Sequence, residues 1–299
     1  MERLDGTTAL ITGGAQGIGL AIARALAQQG GRLALADRDG DALRSAADEL
    51  SPLTQVETFH LDVRDRAAFA QVADEVEDRL GPVDVLCNNA GIAFPETVDE
   101  MTYELWDLAL DINLGGVVNG IQTFLPRMLE RGAPGHIVNT ASAAGLVAAT
   151  GYMYTASKFA VVGLSESLRN QLETGGHPIG VTVLCPGGVA TNIANSTRTL
   201  VTEQQGGGAT FIKAQSRIEE LAPKVENILR QAGVSPDSVG ALVVDAIKAD
   251  RLYILTDRAG TDLLTARTEA IIASMPSADP NASTFDDLKN AVHRSSSNP

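Results

Sequence analysis

Tyr154 and Lys158 stand four residues apart in YTASK, a spacing that puts two side chains on one face of an α-helix. A free tyrosine ionises near pKa ~10, too high for a base at neutral pH, but an adjacent ammonium favours the phenolate. Together they could take or give a proton at an oxygen atom. Ser142, in NTASAAG twelve residues upstream of Tyr154, carries a hydroxyl suited to hydrogen-bond an oxygen with partial negative charge. Thr140 is the alternative hydroxyl. Tyr152 has Ala156 four residues beyond it in place of a lysine, so it lacks the same partner and is expected to shape the pocket.

A second cluster, TGGAQGIG at Thr12–Gly19, spaces Gly13, Gly17 and Gly19 as G-x-x-x-G-x-G between an apolar run and an amphipathic one. Glycines let a backbone approach a pyrophosphate, and a helix opening near Ile18 offers its free N–H groups to that charge. Asp37 closes the next apolar run eighteen residues beyond Gly19, where a carboxylate accepts hydrogen bonds from the adenosine ribose hydroxyls and repels a 2′-phosphate. Arg38 could hold such a phosphate, while Gln16 adds no cation. NAD is therefore expected in preference to NADP.

The elements that must position these residues follow from the alternation of short apolar runs with longer amphipathic ones, the pattern of a parallel sheet with crossover helices. Strands are expected at Thr7–Thr12, Arg32–Ala36, Val56–Leu61, Val83–Cys87, His136–Asn139, Gly180–Leu184 and Leu252–Leu255. Helices are expected to start near Ile18, Asp41, Arg66, Tyr103, Gly115, Tyr152 and Pro236. The predicted fold is α/β, one doubly wound seven-stranded parallel sheet over residues 1–256. Residues 192–234, with the Gly-rich centre TEQQGGGAT, break the rhythm and read as an insertion over the sheet. Residues 257–299 form a partly helical extension whose end is expected to fray.

Composition narrows the function. A net charge of −14 opposes a nucleic-acid partner, which needs a dense basic face. His60, His136, His177 and His293 show no helical metal-pair spacing, so no metal is expected. No apolar run is long enough to span a membrane, the start has no secretory pattern, and Cys87 and Cys185 fall in separate buried strands. A reducing cytoplasm is the expected location.

The glycine turn, NNAG at Asn88–Gly91, Asn113, Ser142, YTASK at Tyr154–Lys158 and PGGVAT at Pro186–Thr191 fall in one order along the chain. In that order they resemble the short-chain dehydrogenase/reductase family over about residues 5–256. The resemblance implies a catalytic set of Asn113, Ser142, Tyr154 and Lys158, with the Asn113 backbone helping to hold a water that links the lysine to solvent. It implies cofactor contacts at Asp62 and Val63 for the adenine, Asn89, Ala90 and Gly91 after the fourth strand, Pro186, Gly187 and Val189, and Thr191 for the nicotinamide carboxamide. Tyr154 and Lys158 would touch the cofactor as well. The segment between Ser142 and Tyr154 is one residue shorter than the family spacing.

The walls expected from Leu146, Val147, Met153, Val189 and Ile193 are apolar, favouring a hydrophobic or aromatic secondary alcohol or its ketone. The chain is also similar to dehydrogenases of lignin-derived aryl ethers. The family implies a homodimer or homotetramer built on the helices around Gly115–Glu130 and Tyr152–Glu173. Open alternatives are an NADP-preferring reductase and a non-catalytic NAD sensor. A sugar-nucleotide epimerase would need glycine at Gln16.

Overall fold

The computed structural model describes residues 1–93, 97–148, 151–204 and 207–276. Seven strands lie parallel in one sheet: β1 (Thr8–Thr12), β2 (Arg32–Asp37), β3 (Val56–His60), β4 (Val83–Asn88), β5 (Gly135–Thr140), β6 (Ile179–Cys185) and β7 (Tyr253–Leu255), in the order β3-β2-β1-β4-β5-β6-β7. Successive strand residues point to opposite faces. Leu10, Leu86, Ile137 and Val183 accordingly enter one core, and Ile11, Cys87, Val138 and Leu184 the other. Helices cover both faces, which is why the strand sequences are apolar almost throughout.

Helices α1 (Gly17–Ala27) and α2 (Gly40–Leu50) pack on the Ile11 face. Helices α3 (Arg66–Leu80), α4 (Tyr103–Leu110), α5 (Gly116–Arg131) and α6 (Tyr152–Thr174) pack on the Leu10 face. Their starts are set by local chemistry: Asp39, Asp65 and Thr102 accept hydrogen bonds from first-turn N–H groups of α2, α3 and α4, removing orphan donors that would otherwise face water alone. Between α4 and α5 one π-helical turn spans Asp111–Gly115, in place of the plain helix start expected at Gly115. Such turns often mark functional sites.

The insertion is more ordered than its composition suggested. It folds into α7 (Ile193–Glu203) and α8 (Ala209–Ala232), and Leu200, Val201, Phe211 and Ile218 bury themselves on the Leu10 side. After it, α9 (Pro236–Ala249) packs against the Ile11 face, with Ser235 as its cap. The chain divides into two units, Met1–Gly260 and Thr261–Pro299. Within the second, α10 spans Thr261–Ala273; the tail expected to fray lies outside the described residues. Cys87 and Cys185 are free, buried thiols, each pushed up to about 12 by burial.

His136 sits wholly buried at the start of β5. Thr182 Oγ1 donates to the Arg251 carbonyl at 2.7 Å, so toward His136 Nε2, 2.8 Å away, it acts as acceptor, and the proton of the neutral ring is on Nε2. Burial lowers this histidine to about 4, outweighing Asp250, whose carboxylate lies 3.9 Å from Nδ1. Between about pH 6.5 and 4 the unfolded chain binds a proton that the folded chain refuses. Stability contributed by the neutral ring is complete above that window and lost as pH falls through it, by up to about 3 kcal/mol. Urea midpoints measured from pH 7 to 4 should show this decline, and His136→Asn should make it shallower even though it lowers the overall stability.

Candidate active site

The sheet reverses its winding between β1 and β4, and a crevice forms at that point beyond the carboxyl ends of the strands. It is a cleft of about 660 Å³ that runs from Asp37 past Gly13 and Asn89 to Tyr154 and Lys158. At its near wall, Gly13 and Gly17 take left-handed backbone angles, φ 62° and 54°, which side chains disfavour. A Cβ on Gly19 would lie 2.0 Å from the Gly13 carbonyl oxygen, so the turn closes only without one. Asn89 fastens the turn to β4: its Nδ2 donates to the carbonyls of Thr12 at 3.1 Å and Gly13 at 3.3 Å. The Thr12 hydroxyl accepts from the N–H groups of Asn89 and Ala90 at 3.0 and 3.2 Å. The cradle left beside the N-terminus of α1 suits a pyrophosphate, and Asp37 stands where a ribose would follow.

Asp37 also accepts from the backbone N–H groups of Asp39, at 3.1 Å, and Ala15, at 3.3 Å. Burial raises its pKa despite these bonds. Asp62 is held below the usual carboxylate value by the side chain of Arg64, whose Nη2 lies 2.6 Å from Oδ2. Gln16 accepts from Asn192 Nδ2 at the start of α7, joining the glycine turn to the insertion.

At the far end of the cleft, α6 places Tyr154 and Lys158 one turn apart. Lys158 is 3 % exposed. Its ammonium donates to the Thr140 carbonyl at the end of β5, 3.0 Å away, and stands 5.7 Å from the centre of the Tyr154 ring. Burial lowers it to about 8. Tyr154 is raised above its ordinary value, again by burial, with a hydrogen bond to Ser142 acting in the opposite direction. Burial acts against the phenolate that Lys158 is expected to favour, because removing both groups from water disfavours the charged form of each.

The Ser142 hydroxyl is buried and donates to the Pro186 carbonyl at 3.5 Å; Thr140 and Ala141, rather than Ser142, line the cleft. A 3₁₀ turn spans Ala143–Gly145, capped by the Ser142 hydroxyl, which accepts from the Ala144 N–H at 3.1 Å. Asn113 lies in the π turn and faces inward. Its Oδ1 accepts from the Ile92 N–H at 2.9 Å, and its Nδ2 donates to the Ile92 carbonyl and to Ser157 Oγ, both at 3.1 Å. Ser157 in turn donates to the Tyr154 carbonyl at 2.7 Å. The Asn113 side chain thus ties the loop after β4 to the first turn of α6.

These motifs stand together in space as they stand in order along the chain, and comparison with known proteins gives the same reading. The short chain dehydrogenase model matches residues 7–201. The chain belongs to the short chain dehydrogenase family. It is 33 % identical over 278 residues to a C alpha-dehydrogenase of Sphingobium sp., covering 92 % of this chain and 88 % of that one. It is 36 % identical to a 1-deoxy-11-beta-hydroxypentalenate dehydrogenase of Streptomyces avermitilis, over 85 % and 86 % of the two chains. A crystal structure of a short chain dehydrogenase/reductase from Burkholderia phymatum in complex with NAD superposes with a TM-score of 0.82 and 32 % identity, over 95 % of this chain and all of that one.

Within this family frame, Gly13, Gln16, Gly17, Ile18, Asp37, Asp62, Val63, Asn89, Ala90, Gly91, Pro186, Thr191, Tyr154 and Lys158 line the cleft, whereas Gly19, Gly187 and Val189 do not. Gly19 and Gly187 make room for neighbours: a Cβ on Gly187 would meet the Asp257 carboxylate at 2.1 Å. Met153 and Val189 pack in the two cores and do not line the cleft. Tyr152 packs edge-on to Trp106, ring centres 5.9 Å apart. The apolar wall comes from Ile193, as expected, together with Ile92, Ile112, Ala141 and Leu200.

Sequence reading expects the insertion from Asn195 onward to wall the cleft but singles out none of the α7 residues Ser196, Thr199 and Glu203, which line it. No fixed spacing announces them. It also missed why position 91 is glycine. A Cβ there would stand 3.1 Å from Asn113 Oδ1 and 3.3 Å from Lys158 Nζ. Gly91→Ala should displace the lysine by a few tenths of an ångström and lower turnover roughly ten- to a hundredfold, as small misplacements do. Steady-state assay together with thermal melting checks this, since a loss of activity explained by unfolding would also lower Tm strongly.

Proposed function

We propose that the protein is an NAD-dependent alcohol dehydrogenase or ketone reductase, with Tyr154 as the proton carrier and a hydrophobic or aromatic secondary alcohol, or its ketone, as substrate. The observation that carries the reading is the convergence of Tyr154 and Lys158 at one end of a cleft whose other end is a glycine cradle beside Asp37, with the Thr140 carbonyl holding the lysine. When bound, NAD supplies the hydride acceptor or donor and, in its oxidised form, a positive charge.

The residues of the chain do the rest. Gly13, Gly17 and the first N–H groups of α1 hold the pyrophosphate, and Asp37 holds the ribose. Ser142 donates to the substrate oxygen and fixes it near Tyr154 Oη. In ketone reduction Tyr154 gives its proton to that oxygen, a role for which its raised pKa keeps it ready. In alcohol oxidation Tyr154 must first lose the proton, and the charge of Lys158 favours that loss once a further positive charge stands nearby. Asn113 and Ser157 act by holding the first turn of α6 in place.

The substrate class rests on the apolar wall and on the two relatives, both named as dehydrogenases. The buried free thiols of Cys87 and Cys185 suit a reducing cytoplasm. The second reading, a sensor that binds NAD without turning over, is disfavoured by the placing of Tyr154 beside the buried Lys158 in the cleft, a proton-transfer pair that sensing does not require.

Tyr154→Phe should lower turnover about 10²- to 10⁴-fold, the usual contribution of a general acid or base. Because the ring stays, NAD affinity should hold within about threefold, a change under 1 kcal/mol. Absorbance at the reduced nicotinamide band with a panel of secondary alcohols, and calorimetric titration with NAD, check the two halves. Full turnover by this variant would remove Tyr154 from its role. In the unaltered protein, oxidation should quicken as pH rises above neutrality, because only the deprotonated phenol accepts the proton of the alcohol.

A further inference from the structure

The adenosine end of the cleft carries arginines, yet each is occupied. Arg64 pairs with Asp62 and Arg44 with Asp41, partners two and three residues away along the chain. Arg38 differs. It pairs with Glu203, the last residue of α7, 165 positions further on, and both line the cleft.

Glu203 is poorly placed for its own helix. A helix C-terminus carries the negative end of the macrodipole and favours cations, but the last turn of α7 holds no basic residue. The pair is also exposed, with 37 % and 48 % of the two side chains open to solvent, and such pairs add little to folding. Neither helix formation nor stability accounts for a carboxylate at this position. What it does is electrostatic. Arg38 directly follows Asp37, and a guanidinium there is the group able to grip a phosphate on the adjacent ribose. Glu203 takes up that guanidinium and adds its negative charge to the cleft that Asp37 and Asp39 line; its charge also acts on Arg64.

We infer that Glu203 is a cofactor-specificity residue, which excludes a 2′-phosphate by engaging Arg38 and so reserves the cleft for the unphosphorylated dinucleotide. The inference rests on the reading of this cleft as an NAD site. It adds to Asp37 a second determinant, supplied by the insertion. Thr197, on the same helix, accepts from the Ala93 N–H at 3.1 Å, so α7 is pinned on the far side of the cleft as well. Discrimination at the adenosine end and placement of the substrate loop are thereby functions of one helix.

Calorimetric titration of the substrate-free protein with NAD and with NADP reads this without catalysis. In Glu203→Gln the ratio of the NADP to the NAD dissociation constant should fall about tenfold, the scale of one removed repulsion plus one freed cation at a solvated site. Adding Arg38→Met to that variant should raise the ratio again, and Glu203→Asp should keep it near the parental value. A Glu203→Gln protein that melts normally and keeps the parental ratio within about twofold would overturn the role of Glu203, since a discrimination of under 0.5 kcal/mol is no gate. If the unaltered protein bound no NAD, the cofactor reading itself would fall and this inference with it, an outcome visible before any variant is made.

Discussion

The burial of one ammonium group organises this molecule. Lys158 is 3 % exposed, and a charge removed from water is tolerated only where partners replace the hydration it loses. The Thr140 carbonyl at the end of β5 provides one such partner. The approach also demands space, which Gly91 leaves by lacking a side chain and Gly145 by the same means: a Cβ on Gly145 would lie 2.7 Å from the Lys158 carbonyl oxygen. Asn113 can reach Ile92 and Ser157 together because the π turn rotates it inward. Several features of separate segments therefore answer a single requirement, that a lysine be held beside a tyrosine at the closed end of a cleft.

The same burial sets the chemical state of the pair. Desolvation moves Lys158 down to about 8 and moves Tyr154 up, so each is drawn toward its uncharged form. A protein that fixed the phenolate permanently would have a base but no acid. Under the proposed function the tyrosine keeps its proton until the oxidised cofactor adds a positive charge, so that the pair would serve either direction of a reversible transfer. The opposite end of the cleft is mixed: at Asp62 the Arg64 side chain favours the charged carboxylate, whereas at Asp37 burial outweighs the backbone hydrogen bonds and disfavours it.

Much of this was legible in the sequence. The strand ends came out within a residue or so because a buried parallel strand must be a short apolar run, and VDVLCN and GVTVLC admit few other readings. The order of the motifs put Gly13, Asn89, Ser142, Tyr154 and Lys158 at strand ends where a cleft must form. What stayed hidden was non-local. Ser142, one residue nearer Tyr154 than the family spacing, caps a 3₁₀ turn that no local pattern announces. Met153 and Val189 had the right character for a wall, but apolar residues serve a wall and a core equally well, and only the packing distinguishes them. Periodicity predicted a helix start at Gly115 and gave no sign of the π turn before it.

Helix α7 shows why such residues escape a linear reading. Its sequence, IANSTRTLVTE, is polar, short and without a motif, and its meaning lies in partners far away in the chain. Asn192 at its cap reaches Gln16 across 176 positions, Thr197 reaches Ala93 across 104, and Glu203 reaches Arg38 across 165. Each partner belongs to a loop at the carboxyl end of a different part of the sheet: the glycine turn after β1, the loop after β4 and the turn after β2. A segment that joins all of these can adopt its place only when the sheet is already assembled. The sheet must therefore come first in the logic of the fold, and α7 reads its result, linking the two ends of the cleft through side chains whose identities no local rule dictates.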